Sequence, residues 1–250
     1  MQLKYLSASR IKTYEQCQLK YHAVYDLKYK EGPPHPLTVM GRAVHVNFDR
    51  GTEILLEGGE YDFLKMITPV CAECGVTRPN AELARTLTKN ALDWGYLRKL
   101  DRCVGSEIAF FETLSDGETQ IKGLIDRLDL NMPDGDIIDL KTQQKAFDDA
   151  LLGDEWQTVV YNIAARRLHP DLTGSVAVSY WTLRHRVQRV WVSLDDAKRG
   201  EDKLLKVADE IRNCTDPQPT PTPLCQWCPY KAECPAANES RKSRFKRKFQ

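Results

Sequence analysis

Cysteines at both ends of the 250-residue chain are the feature that most limits how it can fold. Cys225, Cys228 and Cys234 read C-x2-C-x5-C after the turn-rich run PQPTPTPLC, and Cys17 lies near the other end. In a reducing compartment such spacings indicate a metal site more often than disulfides. A site that joins both ends would close a loop of about 200 residues and constrain the unfolded chain by a few kcal/mol, by analogy with disulfide loops.

Four thiolates suit either zinc or an iron–sulfur cluster. A zinc ribbon commonly draws on two C-x2-C pairs, which Cys71/Cys74 and Cys225/Cys228 would supply. That arrangement leaves Cys17 and Cys234 without a metal, so a zinc ribbon ranks second to an iron–sulfur cluster. The cysteines outside the terminal set are expected to be free thiols: Cys71, Cys74, Cys103 and Cys214.

Length and composition predict one domain with a small appendage, divided at residues 1–214 and 215–250. No apolar run approaches the roughly 20 residues that span a bilayer, and the start is not of signal-peptide type, so a cytoplasmic protein without a membrane partner is expected. The net charge of +1 does not by itself indicate binding to a polyanion such as a nucleic acid. Basic residues are nevertheless concentrated at 181–191 and in the tail after Ser240. Either run is also compatible with a solvated surface.

Apolar periodicity and turn residues predict an α/β or α+β domain with a mixed sheet. The first helix is expected to be capped by Ser7 or Ser9, and the third by Asn80. Residues 61–79 are ambiguous. Helices are predicted at 10–27, 40–58, 81–100, 154–169 and 195–214, and strands at 103–114, 119–132, 136–143, 174–183 and 186–194.

Two adjacent predicted strands carry a carboxylate–lysine constellation. Asp139 and Lys141 are two residues apart on a strand and therefore face the same side. Asp126, on the preceding strand, can converge with Asp139 across the hairpin. The two aspartates lie at unequal distances from Gly135 in the predicted turn PDGD, so an offset or bulged register is expected. Two carboxylates suit Mg²⁺, and a lysine beside them suits attack of metal-activated water on a phosphodiester.

Two further side chains are candidates by spacing. Gln157 and Tyr161 are four residues apart on a predicted helix, so they share one face, where they either line the same cleft or pack without a functional role. His45 in GRAVH is by itself more typical of a surface or core histidine than of a ligand.

In combination, these motifs resemble the PD-(D/E)XK nuclease superfamily, and more narrowly the RecB-type nucleases. The motifs are G-x-x-x-H (41–45), G-x-x-D-R (123–127), D-x-K-T (139–142) and Q-x-x-x-Y (157–161). The opening LSASRIKTYEQCQLKYHAVY resembles the start of the same group, with Gln18 at a position that is usually proline. The terminal cysteines narrow the likeness to the iron–sulfur CRISPR-associated exonucleases (Cas-four) and the AddB nuclease domain.

The resemblance implies a restriction-endonuclease-like core at 1–214, with a mixed central sheet flanked by helices, and a C-terminal iron–sulfur segment. It implies Mg²⁺ or Mn²⁺ ligands at His45, Asp126, Asp139 and the carbonyl of Leu140, and a catalytic lysine at Lys141. Gln157 and Tyr161 would place the DNA strand, and Cys17, Cys225, Cys228 and Cys234 would hold a [4Fe–4S] cluster. Glu107 would either assist the site or face solvent, and the second is expected. Arg184 and Arg186, from the basic run, are expected to contact DNA.

The expected activity is that of a metal-dependent DNA exonuclease acting on single strands or ends, in recombination, end processing or CRISPR adaptation. No phosphate-loop motif of a helicase motor is present, so the protein is expected to act alone or with a partner, for which a helicase, a recombinase or a CRISPR adaptation protein is the expected kind. Two alternatives are a catalytically silent nucleic-acid-binding module and an electron-transfer or redox-sensing protein. Both leave the carboxylate–lysine constellation unexplained.

Overall fold

A five-stranded mixed sheet with helices on both faces forms the core of the protein, which we describe from a computed structural model over residues 1–29 and 32–237. The predicted basic tail at 241–250 lies outside the described residues. The helices are α1 Ala8–Gln16, α2 Gln18–Tyr21, α3 Pro36–Leu56, α4 Phe63–Glu73, α5 Arg78–Asp93, α6 Trp156–Leu168 and α7 Leu194–Asn213. The strands are β1 Cys103–Thr113, β2 Gln120–Asn131, β3 Asp134–Lys141, β4 Val176–Thr182 and β5 Arg186–Val192.

The strands lie in chain order, from β1 to β5. All neighbouring pairs are antiparallel except β3 and β4, which run parallel. A parallel pair needs a crossover connection, and α6 provides it. The predicted α/β class and mixed sheet are therefore confirmed.

Each face of the sheet has its own apolar core. On one face, β-strand side chains such as Ile137 and Tyr180 pack against α1, α6 and α7. On the other face, Ile138, Leu140 and Trp181 pack against α3, α4 and α5. Successive residues of β3 thus enter opposite cores, so this strand is buried on both sides, as is usual for a strand in parallel pairing.

The first predicted helix is interrupted at a position where no sequence signal predicts a break. Ser7 caps α1 as expected, by accepting a hydrogen bond from the Arg10 N–H. At Cys17 the backbone is extended, with φ −170° and ψ 111°, and the chain then restarts as α2 and a single π-helical turn, His22–Asp26. The interruption turns the Cys17 side chain into the N-cap of α2.

The middle helices also differ from the prediction. Asn80 does not cap a helix, because α5 already begins at Arg78, with Pro79 in its first turn, where a missing N–H costs nothing. The ambiguous stretch 61–79 contains α4, capped by Asp62. Within the described part of the chain, no helix combines the length and the apolar character required to cross a membrane.

Candidate metal centre and cysteine site

Three carboxylates lie in one row across β1, β2 and β3. The β2–β3 hairpin turns at Met132–Pro133, and its pairs run regularly from Asn131 opposite Asp134 to Arg127 opposite Ile138. Asp126 and Asp139 are the next residue on each strand and lie equally far from the turn, although the paired residues stop one step before them. The expectation of an offset or bulged register is therefore wrong, because the turn precedes Gly135, which lies within β3.

The third carboxylate of the row belongs to Glu107. Strand β1 pairs Ser106 with Arg127 and Ile108 with Ile125, which places Glu107 opposite Asp126. Glu107 has a φ of 45°, in the region that non-glycine residues rarely adopt. The strand is therefore distorted at the row itself, which re-aims this side chain.

Strands β2 and β3 separate at the same row. The Leu140 N–H donates to Asp126 Oδ2 at 2.7 Å, so a side chain takes the place of a backbone acceptor. In an antiparallel pair the N–H and the C=O of one residue point to the same neighbour. The Leu140 carbonyl is thus directed toward Asp126 as well, while the Leu140 side chain lies in the core below.

Helix α3 brings His45 to this row. His45 Nδ1 lies 3.3 Å from Asp126 Oδ1 and 3.7 Å from Glu107 Oε1. Ligand atoms of these three residues lie within 4.8 Å of one another, close enough to share one metal ion. The expectation that Glu107 faces solvent is wrong, and the residue that sequence reasoning set aside is part of the strongest candidate metal group.

Asp139 adds a buried carboxylate beside this group. Its side chain is 1% exposed, Lys141 Nζ lies 2.5 Å from its Oδ2, and Gln157 Nε2 donates to its Oδ1 at 3.4 Å. Apart from this ion pair, Oδ2 has no hydrogen-bond partner within residues 1–29 and 32–237. A divalent metal ion beside Lys141 would give this buried carboxylate a second cationic partner.

The charges of the row shift the pKa values of its members in opposite directions. Burial by itself would lower the pKa of His45, but the charge of Asp126 and hydrogen bonds to Asp126 and Glu107 raise it to about 10. Burial raises the pKa of Asp139 to about 6, an effect that Lys141 only partly offsets. Asp126 shows the reverse: burial opposes ionisation, yet the cationic His45 beside it holds its pKa below the usual value. The carboxylates of the row therefore favour a positive charge beside them.

Gln157 and Tyr161 share one face of α6, as their spacing predicted, and this face is turned toward Asp139. Gln157 Nε2 also donates to Tyr161 Oη at 3.1 Å, and the Tyr161 ring meets that of Phe110 edge to face at 6.0 Å. A Cβ at Gly123 would lie 2.4 Å from the Phe110 ring, so glycine makes room for it. The G-x-x-D motif thus supports the helix that contacts Asp139.

Arg127, the last residue of the G-x-x-D-R motif, has a structural role. It is completely buried, pairs with Asp129 at 2.6 Å and donates to the backbone carbonyls of Tyr96 and Arg98. These contacts fasten β2 to the segment that follows α5. These partners fix the position of the buried Arg127. Because Asp126 is its neighbour on β2, the backbone of Asp126 is fixed as well.

Gly41 sets the approach of α3 to the end of β3. A Cβ at this position would lie 2.7 Å from Thr142 Oγ1, inside any normal contact distance. Gly41 is one helical turn from His45, so a displaced helix would carry His45 away from Asp126.

We expect Gly41→Ala to lower DNA cleavage at least about tenfold, since misplacing a positioned group by about 1 Å is enough for a larger loss. The measurement is the cleavage rate of labelled DNA at saturating metal. Because the clash involves a single hydroxyl, Gly41→Ala combined with Thr142→Ala should recover most of the rate. A single variant as active as the wild type would contradict this account of the G-x-x-x-H motif.

The basic run at 181–191 is only partly available to a phosphate. Arg184 lies at the edge of the row, where its Nε donates to the carbonyl of Thr142 at 2.9 Å. Arg186 pairs with Asp149, and Arg189 with Asp136 at 2.8 Å. Of these three arginines, Arg184 lies near Lys141 and has no carboxylate partner among the described residues, whereas the other two are paired.

The four terminal cysteines line a single cavity of about 370 Å³ between α1, α2 and the C-terminal segment. The Lys20 and Thr220 N–H groups each lie 3.4 Å from Cys17 Sγ, and the Thr222 N–H lies 3.2 Å from Cys225 Sγ. Backbone donors aimed at sulfur stabilise thiolates and tune cluster sulfurs. Burial, with Cys17 and Cys225 nearby, raises the pKa of the Cys228 thiol, so a cation in the cavity would relieve the repulsion.

The zinc ribbon formed from two C-x2-C pairs is wrong. Cys71 and Cys74 lie at the end of α4, in the core on the other face of the sheet, and do not reach the cavity. A tetrahedral zinc with sulfur at about 2.3 Å also needs sulfurs about 3.8 Å apart. No three cysteine Sγ atoms within 1–29 and 32–237 lie within 4.8 Å of one another.

Comparison with known proteins gives both a family and a fold. The family profile of the PD-(D/E)XK nuclease superfamily matches residues 5–235. The crystal structure of a "Putative exonuclease" from Eubacterium rectale superposes with a TM-score of 0.52 at 16% identity, covering 88% of this chain and 90% of that one. The structure of SSO0001 covers 88% of this chain and 95% of its own at 14% identity, with a TM-score of 0.35. No curated protein matches the chain. With the match spanning nearly all of its residues, the chain belongs to the PD-(D/E)XK nuclease superfamily.

Proposed function

We propose that the protein is a Mg²⁺- or Mn²⁺-dependent deoxyribonuclease that acts as an exonuclease on single strands or DNA ends. The observation that carries this proposal is the group of His45, Glu107 and Asp126, whose ligand atoms lie within 4.8 Å of one another, beside the buried carboxylate of Asp139. Carboxylates held this close together have a reason to persist if they bind a cation.

The donor set fits a hard divalent cation. The proposed ligands are His45, Asp126, Asp139 and the carbonyl of Leu140, and Glu107 joins them because it lies in the same row. Oxygen atoms predominate in this set, as Mg²⁺ and Mn²⁺ prefer. When bound, the ion would lower the pKa of a water molecule and offset charge on the phosphate.

The remaining side chains of the site would act on the substrate and on each other. The Lys141 ammonium, 18% exposed and 2.5 Å from Asp139, would donate to the attacking water or to a phosphate oxygen. Gln157 orients Asp139 and Tyr161 through its two hydrogen bonds. Arg184 is the proposed contact for the strand beyond the cleaved bond.

The cysteine cavity is proposed to hold a [4Fe–4S] cluster through Cys17, Cys225, Cys228 and Cys234. Its position between the first helices and the C-terminal segment favours a structural role over electron transfer. The settings proposed for the activity are recombination, end processing or CRISPR adaptation, with a helicase, a recombinase or an adaptation protein as partner.

The proposed function is tested by incubating labelled single- and double-stranded DNA with the protein in Mg²⁺, Mn²⁺ or EDTA. Shortening from an end in either metal and none in EDTA is expected. Intact DNA under all conditions, together with DNA binding, would favour a catalytically silent binding module.

We expect Lys141→Met to lower the cleavage rate by a factor of about 100 to 10,000, the usual range for loss of one proton-transfer or charge-stabilising group. Manganese affinity, measured by calorimetry, should be retained or increased, because a positive charge beside Asp139 is removed. Loss of manganese binding in this variant would place Lys141 in the support of the metal site instead of in the reaction.

A further inference from the structure

An exposed apolar and aromatic strip runs along the β1–β2 hairpin away from the metal centre. On β2, Lys122, Leu124 and Asp126 alternate, and therefore share one face of the sheet. Leu124 is 41% exposed, and its partner on β1 is the exposed Ala109. Two residues farther, Lys122 pairs with Phe111, whose ring is 55% exposed. The strip thus begins where the metal centre ends.

Tyr5 completes the strip. It lies in the N-terminal segment that pairs with β2 through its neighbour Leu6. Its ring meets that of Phe111 edge to face at 6.3 Å, and the Arg10 guanidinium carbon lies 3.9 Å from its centroid. Arg10 is itself buried, so Tyr5 is held from behind while Phe111 presents its ring to solvent.

Lys122 lies beside these rings, and no described residue gives it a carboxylate partner. The Lys122 ammonium lies 5.5 Å from the Tyr5 centroid, and within residues 1–29 and 32–237 it forms no ion pair or hydrogen bond. Arg186 and Arg189 differ from Lys122 because each of them forms an ion pair with an aspartate. An exposed cation beside the exposed Phe111 ring and the half-buried Tyr5 ring suits a ligand that is both aromatic and anionic.

We propose that this strip, formed by Tyr5, Phe111, Leu124 and Lys122, binds the unpaired bases and backbone of a single DNA strand whose phosphodiester lies at the metal centre. The faces of bases within a duplex are covered by their neighbours, whereas an unpaired base can stack on a ring. Four residues of strand separate Lys122 from Asp126, a distance of about 13 Å. This inference rests on the proposed nuclease function and specifies the substrate as a single strand or a frayed end.

Phe111→Ala tests the stacking contact directly. Binding is measured by fluorescence anisotropy in Mg²⁺, in a Lys141→Met background so that the DNA stays intact. The variant should bind a single strand roughly 5- to 100-fold more weakly, the range for loss of one base stack. Trp191→Ala is the matched control, because Trp191 is equally exposed, at 58%, and lies near Arg189 on the far edge strand β5. It should leave binding unchanged.

An abasic strand separates stacking from charge. On such a strand, which keeps its phosphates, Phe111→Ala should bind as well as the parent protein. Lys122→Gln should weaken binding to both strands and reduce the log–log salt slope by about 0.7, the share of one single-strand phosphate contact.

Two results would overturn the proposal. One is equal affinity of Phe111→Ala and its parent for the single strand. The other is a concentration-dependent dimer, seen in sedimentation, that Phe111→Ala dissociates, because the strip would then bind a second copy of the chain. Metal-dependent cleavage by the unmodified protein is measured separately. If this protein cleaves DNA and Phe111→Ala binds the single strand as well as its parent, only the proposed role of the strip is wrong. If it neither cleaves nor binds DNA, the proposed function is wrong as well.

Discussion

Asp139→Asn is expected to abolish DNA cleavage, with a loss of at least about a thousandfold, while the protein stays folded. The several kcal/mol of charge stabilisation that a metal ion supplies corresponds to a loss of this size. Asparagine has the same shape but no charge, so it weakens a cation site without emptying the space. Manganese affinity measured by calorimetry and the cleavage rate should therefore fall together.

Asp136→Asn is the matched control for this experiment. Asp136 lies on the same strand and is largely buried, but it pairs with Arg189 and accepts a hydrogen bond from Ser179 on the neighbouring strand, away from the row. This variant should cleave DNA within about threefold of the wild-type rate, the change expected of a site that touches neither metal nor substrate. Full cleavage by Asp139→Asn would remove Asp139 from the metal site.

Cys17→Ser is expected to cause the largest loss of stability. If Cys17 and the C-terminal cysteines share a cluster, the substitution releases a loop of about 200 residues and lowers the free energy of unfolding by roughly 3–5 kcal/mol, by analogy with a disulfide of that span. For a chain of this size the melting temperature should fall by about 10 °C. Iron and sulfide content and the broad absorbance near ~400 nm of anaerobically purified protein should be lost as well.

Cys214→Ser controls for the general effect of replacing a cysteine nearby. Cys214 lies close to the same region, with its Sγ 3.8 Å from Gln18 Oε1, but it does not line the cavity. This variant should retain its iron and its colour. Colourless wild-type protein with one zinc ion bound by the four terminal cysteines would instead make the site a structural zinc centre.

The local parts of the candidate site could be predicted because they depend on periodicity alone. Asp139 and Lys141 share a face whatever the rest of the chain does, since strand side chains alternate. The same holds for Gln157 and Tyr161 along one face of α6, and both pairs lie together in the structure as expected.

Placement across elements could not be predicted from these patterns. Asp126 faces Asp139 because the hairpin turns at Met132–Pro133 and not at Gly135, a choice that the packing of both strands against two cores decides. Glu107 joins the row only because β1 pairs with β2 in one particular register and is distorted there. Nothing in the residues around Glu107 distinguishes it from a solvent-facing glutamate; the register of a neighbouring strand was the missing signal.

The sequence by itself determined the class of fold and the order of the five strands. Only the tertiary structure decided that the helix through Cys17 breaks there, that Glu107 joins the candidate metal group and that the four terminal cysteines line one cavity. It also decided that Arg186 and Arg189 are paired with aspartates, whereas Lys122 has no such partner among the described residues. The physical reason is that backbone periodicity is set by neighbours in the chain, whereas register, ion pairing and helix breaks are set by contacts between segments far apart in it.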